Sequence, residues 1–194
     1  MSFVATPAGY RFPWYVRLIF RIQRRRYGAV LEPARLWGRS PRVFAALALL
    51  YGSLDRRSSP IAPLLRALVI VRVSQINWCA FCVDLNSATV LERGAHRDKL
   101  ADLAEFETSN RFSEREKAAL AYAEAISYSN VQPGAVHFER LRTHFDENEI
   151  IELTALIAFQ NLSSKFNAAL GVEAQGFCSP PPPARPSMVH NVEK

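Results

Sequence analysis

Apolar positions recur at helical spacing through most of the chain, and no stretch keeps the alternation of a half-buried strand over strand length. In "WYVRLIFRIQRRRYG", residues 14–28, a helix places Arg17, Arg21 and Arg24 at i, i+4 and i+7, with Tyr15, Leu18, Ile19 and Ile22 on the other side. From Pro41, "PRVFAALALLYGSLD" is a good helix former, and "DRRSSP" breaks it. Pro63 suits the first turn of a helix through "LLRALVIVRVSQIN", because proline there lacks only an amide that would have no partner. A helix after Cys82 is expected to run to about Arg93, with Gly94 as the left-handed stop. Ser113 with Glu116, and Asp146 with Glu149, stand at capping-box spacing and mark two further helix starts. "AVHFERLRTHF" fits a helix between them, and Gly171 closes the last long one.

This pattern predicts an all-α chain in three parts: a basic arm over residues 1–40, a helical domain over 41–178 and a Pro-rich tail over 179–194, where "SPPPPARP" is expected to be extended polyproline. Sliding residues 65–86 by 85 positions lays Leu68 on Leu153, Gln75 on Gln160, Phe81 on Phe166 and Leu85 on Leu170. Each segment follows another predicted helix, so the expectation is two related helical halves. At 194 residues there is room for one sizeable core.

Composition changes this picture in two respects. No apolar run nears the roughly 20 residues needed to cross a bilayer, three cysteines are too few for a disulfide scaffold, and no signal-peptide pattern opens the chain. The expected setting is a reducing cytoplasm. The net charge of +6 is also uneven, since residues 1–57 hold eleven arginines against only Glu32 and Asp55. A basic amphipathic helix over 14–26 suits peripheral contact with an anionic membrane, or an arm docked on the body with its arginines in solvent. No basic cluster recurs later to extend a nucleic-acid face.

The chemistry concentrates in "NWCAFCVDLNS", where Cys79 and Cys82 form a C-x-x-C at a helix start. Exposed amides and the helix dipole there favour a thiolate, and the spacing lets the sulfurs close a disulfide within one turn. A free thiol is roughly 3% ionised at pH 7, whereas one lowered to about 6.5 is mostly thiolate. Two other readings stand beside redox use. A structural zinc needs four ligands, but there is no second C-x-x-C and no H-x-x-x-H. The pair can also be two inert core residues, because free cysteine packs as a small hydrophobe. Arg72, seven residues before Cys79 in an apolar helix, is either a surface arginine between two apolar stretches or a buried one that needs a partner or helps to hold a thiolate.

The run "LLRALVIVRVSQINWCAFCVDLNSATVLERG", with the downstream "FSEREKAALAYAEAIS" and "IIELTALIAFQNLSSKFNAALG", resembles the carboxymuconolactone decarboxylase and AhpD-like alkylhydroperoxidase superfamily over most of the chain. The resemblance implies an AhpD-like helical bundle of two related halves, assembly into homo-trimers or homo-hexamers, and thiol-dependent peroxidase activity without a cofactor. Carried over by position, it makes Cys82 the cysteine that attacks peroxide and Cys79 the resolving partner. Where the family places its relay histidine this chain has Asn86, and where it often has a glutamate, twelve residues before the first cysteine, this chain has Ala67. Asn86 does not titrate near neutral pH, so the usual proton relay is missing. Asp84, and Glu152, which the 85-residue offset lays over Ala67, are the candidate substitutes.

The expected function is therefore an AhpD-like thiol oxidoreductase that reduces peroxides or disulfides with electrons from a thiol donor. Two alternatives are a non-catalytic helical oligomer binding partners through its basic arm, and an enzyme of the same fold whose cysteines only support a pocket wall.

Overall fold

The computed structural model describes residues 2–178, and the Pro-rich tail lies outside them. Among the described residues there are helices and connecting turns and no strand. The helices are α1 (Trp14–Tyr27), α2 (Glu32–Trp37), α3 (Pro41–Leu54), α4 (Pro63–Ile76), α5 (Ala80–Glu92), α6 (Arg97–Ala101), α7 (Glu114–Ser127), α8 (Ala135–Arg142) and α9 (Glu147–Ala169), with a 3-10 turn over Asp102–Glu105. No helix is long and apolar enough to cross a membrane.

The starts and stops follow local chemistry. Ser113 and Asp146 each accept from the backbone three residues on, and Glu116 and Glu149 reach back to complete both capping boxes. Pro63 begins α4, and Gly94 follows α5 at φ 92°, which suits a residue without Cβ.

α4 is the axis of the larger core. Residues 65–74 are all buried, and the helix packs against α5, α7 and α9. A helix enclosed on every side reads as apolar all round, which is why it lacks a clear polar face. Leu68, Val69, Val71 and Val73 lose all contact with solvent, and each such burial stabilises the fold by about 1.5–3 kcal/mol. Its two arginines are paired: Arg66 with Asp55 at 3.2 Å, and Arg72 through Nε with Glu124 at 2.6 Å. Arg72 therefore serves the α4–α7 contact and does not hold a thiolate.

The first forty residues pack on the body. Val16 and Phe20 of α1, with Val30, Leu31, Ala34, Leu36, Phe44 and Val172, form a second apolar cluster that includes Cys79 and Cys82. The docked side of α1 overlaps the expected one only in part: Tyr15 and Ile19 pack on this cluster, whereas Leu18 and Ile22 are 46% and 56% exposed. Phe20 meets Phe12 edge-on at 4.9 Å and Phe44 at 6.3 Å, and aromatic packing selects among apolar residues that span more than one face.

The 85-residue offset also has a structural meaning. It lays α4 on residues 148–161 of α9, and Leu68 and Leu153 are both fully buried. The two copies then diverge. α9 runs on through Leu162, Ser163 and Ser164, whereas the first copy breaks at Asn77 and Trp78 and restarts at Cys79. Trp78 sits in the left-handed region at φ 57°, which costs an L-residue about 1–2 kcal/mol. The break is what turns Cys79 into the N-cap of a new helix.

Candidate redox site

Cys79 and Cys82 are joined in a disulfide at the start of α5, with Cα atoms 5.2 Å apart. Each sulfur has a hydrogen-bond donor. The backbone N–H of Cys82 donates to Cys79 Sγ at 3.1 Å, as a capping side chain would accept it, and Asn167 Nδ2 donates to Cys82 Sγ at 3.3 Å. The pair is 1% and 3% exposed. It lies within the cluster to which α1, α2 and the segment after α9 contribute, with Trp37 stacked on Phe166 and Phe177 edge-on to Phe81 nearby. A substrate reaches the sulfurs only if this cover moves.

A polar seam fixes α9 beside the helix break. Gln160 Nε2 donates to Ser74 Oγ at 2.8 Å, Asn77 Nδ2 to Asn161 Oδ1 at 2.8 Å, and Asn161 Nδ2 to Ser127 Oγ at 3.0 Å. Ser74 also accepts the N–H of Cys79 through its carbonyl, at 3.1 Å. These bonds hold the register that sets Asn167 over Cys82. Asn167 is 1% exposed, and its Oδ1 has no hydrogen-bond partner among the described residues. An orphaned buried oxygen is costly, which is consistent with a role at the sulfur.

Asn167 is the site residue that reading the chain alone misses. The signal was present, because the 85-residue offset that relates the two halves lays Cys82 on Asn167. The contact joins equivalent positions of the repeat.

Neither Asn86, at the relay position, nor the candidate substitutes Asp84 and Glu152 is hydrogen-bonded to a sulfur among the described residues. Asn86 lies one turn beyond Cys82 on α5 and donates from Nδ2 to the carbonyl of Cys82 at 2.7 Å, so its amide bonds its own helix. Glu152 is paired with Arg56 at 2.6 Å and stands fifteen residues before Asn167 on α9, about 22 Å along the axis. Asp84 is buried for a different reason. Its Oδ2 accepts the backbone N–H groups of Gln175, Gly176 and Phe177 at 2.8, 2.7 and 3.1 Å, and its Oδ1 accepts that of Cys178 at 2.7 Å. This carboxylate is a clasp that holds the chain after α9 against α5.

Among the described residues no group of His, Cys, Asp and Glu is placed to hold a metal ion. Burial pushes the Cys178 thiol up, with Arg97 opposing the shift, so Cys178 is a poorer nucleophile at neutral pH than an ordinary cysteine. The site thus offers a buried disulfide with one side-chain amide donor on Cys82 and, among the described residues, no carboxylic acid or imidazole hydrogen-bonded to either sulfur.

The amide donor carries a measurable consequence. Hydrogen bonds to charged groups contribute about 1.5–3 kcal/mol, or roughly one to two pKa units. In the reduced protein, Asn167→Ala is expected to raise the Cys82 pKa by about that much, read from thiolate ultraviolet absorbance against pH. An unchanged titration removes Asn167 from the site.

Comparison with known proteins places this geometry in context. The family model described as carboxymuconolactone decarboxylase matches residues 41–125. The uncharacterized protein YnjA of Escherichia coli strain K12 is 43% identical over 171 residues, covering 88% of this chain and 94% of that protein. The crystal structure of the debrominase Bmp8 superposes with a TM-score of 0.75 at 26% identity, over 84% of this chain and 88% of that one. Bmp8 has also been solved in complex with 2,3,4-tribromopyrrole. An uncharacterized peroxidase-related protein of Ralstonia eutropha JMP134, described as an alkylhydroperoxidase AhpD core, superposes with a TM-score of 0.81 at 20% identity, over 91% and 94% of the two chains, which speaks to the fold.

Proposed function

Because the chain belongs to the carboxymuconolactone decarboxylase family, in the superfamily that includes AhpD-like proteins, we propose that it is a thiol-dependent oxidoreductase cycling the Cys79–Cys82 pair. The observation that carries this reading is a buried disulfide at a helix start with a donor on each sulfur. In the reduced state Cys82 attacks, Cys79 resolves, and an external thiol restores the pair.

The missing acid selects the substrate. Reduction of a peroxide follows E(SH)2 + ROOH → E(S–S) + ROH + H2O, and it expels an oxygen anion as basic as hydroxide, far more basic than a thiolate. A positioned general acid is worth about 10² to 10⁴ in such a step. Reduction of a disulfide follows E(SH)2 + RSSR → E(S–S) + 2 RSH and expels a thiolate, whose parent pKa is about 8.5. That anion leaves unaided. The site therefore suits a small disulfide better than a peroxide, and the expected attacking and resolving roles of Cys82 and Cys79 are kept.

Likeness to Bmp8 supports a second reading, a bromo-aromatic substrate, in which bromide departs unaided and the ring carbon takes one of the two thiol protons. The balance is E(SH)2 + RBr → E(S–S) + RH + HBr. The aromatic cover of Trp37, Phe81, Phe166 and Phe177 suits such a ring.

Reduced protein mixed with bis(2-hydroxyethyl) disulfide, cumene hydroperoxide or 2,3,4-tribromopyrrole, with dithiothreitol as donor, tests the ranking. The disulfide is expected to be consumed at least 100-fold faster than the hydroperoxide, on the order of the absent acid's contribution. A hydroperoxide rate equal to or above the disulfide rate overturns the preference. Asn86→His puts an imidazole one turn from Cys82, and it is expected to raise the hydroperoxide rate by about 100-fold while moving the disulfide rate only a few-fold. If neither rate changes, position 86 has no access to the leaving group. A subunit assembly of three or six chains remains part of this proposal, with sedimentation velocity as its check.

A further inference from the structure

Several arginines of the helical body are paired, whereas four on the arm are not. In the helical body, Arg56, Arg66, Arg72, Arg93, Arg115 and Arg140 each bond a carboxylate. On the arm, Arg17, Arg21 and Arg24 of α1 and Arg35 of α2 bond none among the described residues, and all four are exposed.

These four border one cleft of about 390 Å³, floored by Phe12, Phe20 and Val30, and no carboxylate lines it. The spacing of Arg17, Arg21 and Arg24 was legible in the sequence; Arg35 joins them only because α2 folds back beside α1. Like charges one turn apart on a helix repel, so the arrangement is destabilising until an anion fills it. Guanidinium forks match the oxygens of phosphate in bidentate geometry, and a cleft of this volume is of small-ligand size.

We propose that this cleft binds the phosphate group of an anionic ligand, with the apolar floor receiving the group attached to it. The phosphate belongs to a soluble phosphoester or to a lipid headgroup. Trp14, Leu18 and Ile22, exposed in line on α1 beside Arg17 and Arg21, are placed for insertion in the second case. The inference is independent of the cysteine chemistry, although Phe20 and Val30 also belong to the cluster that closes over the disulfide.

Inorganic pyrophosphate is the probe for the soluble case, titrated by calorimetry into the full chain. Vesicles of phosphatidylglycerol, against phosphatidylcholine, probe the lipid case by co-sedimentation. Two double variants carry the same charge change on one exposed helix: Arg21→Gln with Arg24→Gln inside the cleft, and Arg25→Gln with Arg26→Gln outside it. Binding at one site per chain is expected to weaken on the order of 100-fold in the first variant and less than about threefold in the second, and to weaken with added salt. Pyrophosphate binding without vesicle binding assigns a soluble phosphoester, and selective binding to the anionic vesicles assigns a headgroup. If neither probe binds, or the outer variant loses as much as the cleft variant, the site is overturned.

Discussion

Cys82→Ser is expected to lower disulfide turnover by at least about a thousandfold, because a serine hydroxyl in place of a thiolate removes the attacking sulfur. Cys79→Ser is expected to behave differently. Cys82 then attacks once and stays bound to half of the substrate, releasing one equivalent of product thiol, because no resolving sulfur follows. Intact-protein mass spectrometry reads this as a stable mixed disulfide on Cys82. Alanine variants serve as the folding control, since a buried hydroxyl in this apolar cluster itself costs about 1–3 kcal/mol. If Cys79 forms the stable adduct in the absence of Cys82, the two roles are exchanged. If both single variants turn over at the wild-type rate, the pair is structural.

The second large effect concerns Asp84. Asp84→Ala removes the acceptor of four backbone N–H groups in a residue that is 2% exposed. Losing one member of a buried, charged hydrogen-bond cluster costs about 3–5 kcal/mol, against a total of about 5–15 kcal/mol for a domain. Urea unfolding is expected to show that loss, with the amides of residues 175–178 exchanging fastest. The effect reaches the site as well. Phe177, held by this clasp, packs on both Tyr27 of α1 and Phe81 of α5, so its release loosens the cover on the cysteines. Native-state alkylation of the reduced pair is therefore expected to accelerate in Asp84→Ala. A stability loss below 1 kcal/mol, with no change in alkylation, shows that the clasp contributes little.

The fold was legible where a signal is local. Ser113 with Glu116, Asp146 with Glu149, Pro63 and Gly94 mark their helix ends by chemistry confined to one turn, and the structure has those ends. α2 and α6, of six and five residues, are too short for an apolar period to emerge, and both went unseen. The docked face of α1 was read only in part, with Tyr15 and Ile19 docked but Leu18 and Ile22 exposed, because its apolar residues surround more than half of the helix and only the partners Phe12 and Phe44 decide among them.

The site was half legible. The C-x-x-C and its helix start were written in one short run. The donor on Cys82 lies 85 residues away, and the cover comes from the first forty residues and the last described few. Such contacts are a property of tertiary packing, and only the repeat offset pointed toward Asn167. Asp84 shows the converse: the residue type suggested acid–base chemistry, but four backbone amides make it a clasp.

The most direct measurement is a single oxidation. Fully reduced protein receives one equivalent of bis(2-hydroxyethyl) disulfide, and the quenched products are mapped by peptide mass spectrometry. The account predicts two equivalents of 2-mercaptoethanol released per chain, a disulfide between Cys79 and Cys82, and Cys178 still a thiol. Recovery of Cys79 and Cys82 as thiols in folded protein, with the added disulfide unconsumed, would contradict it.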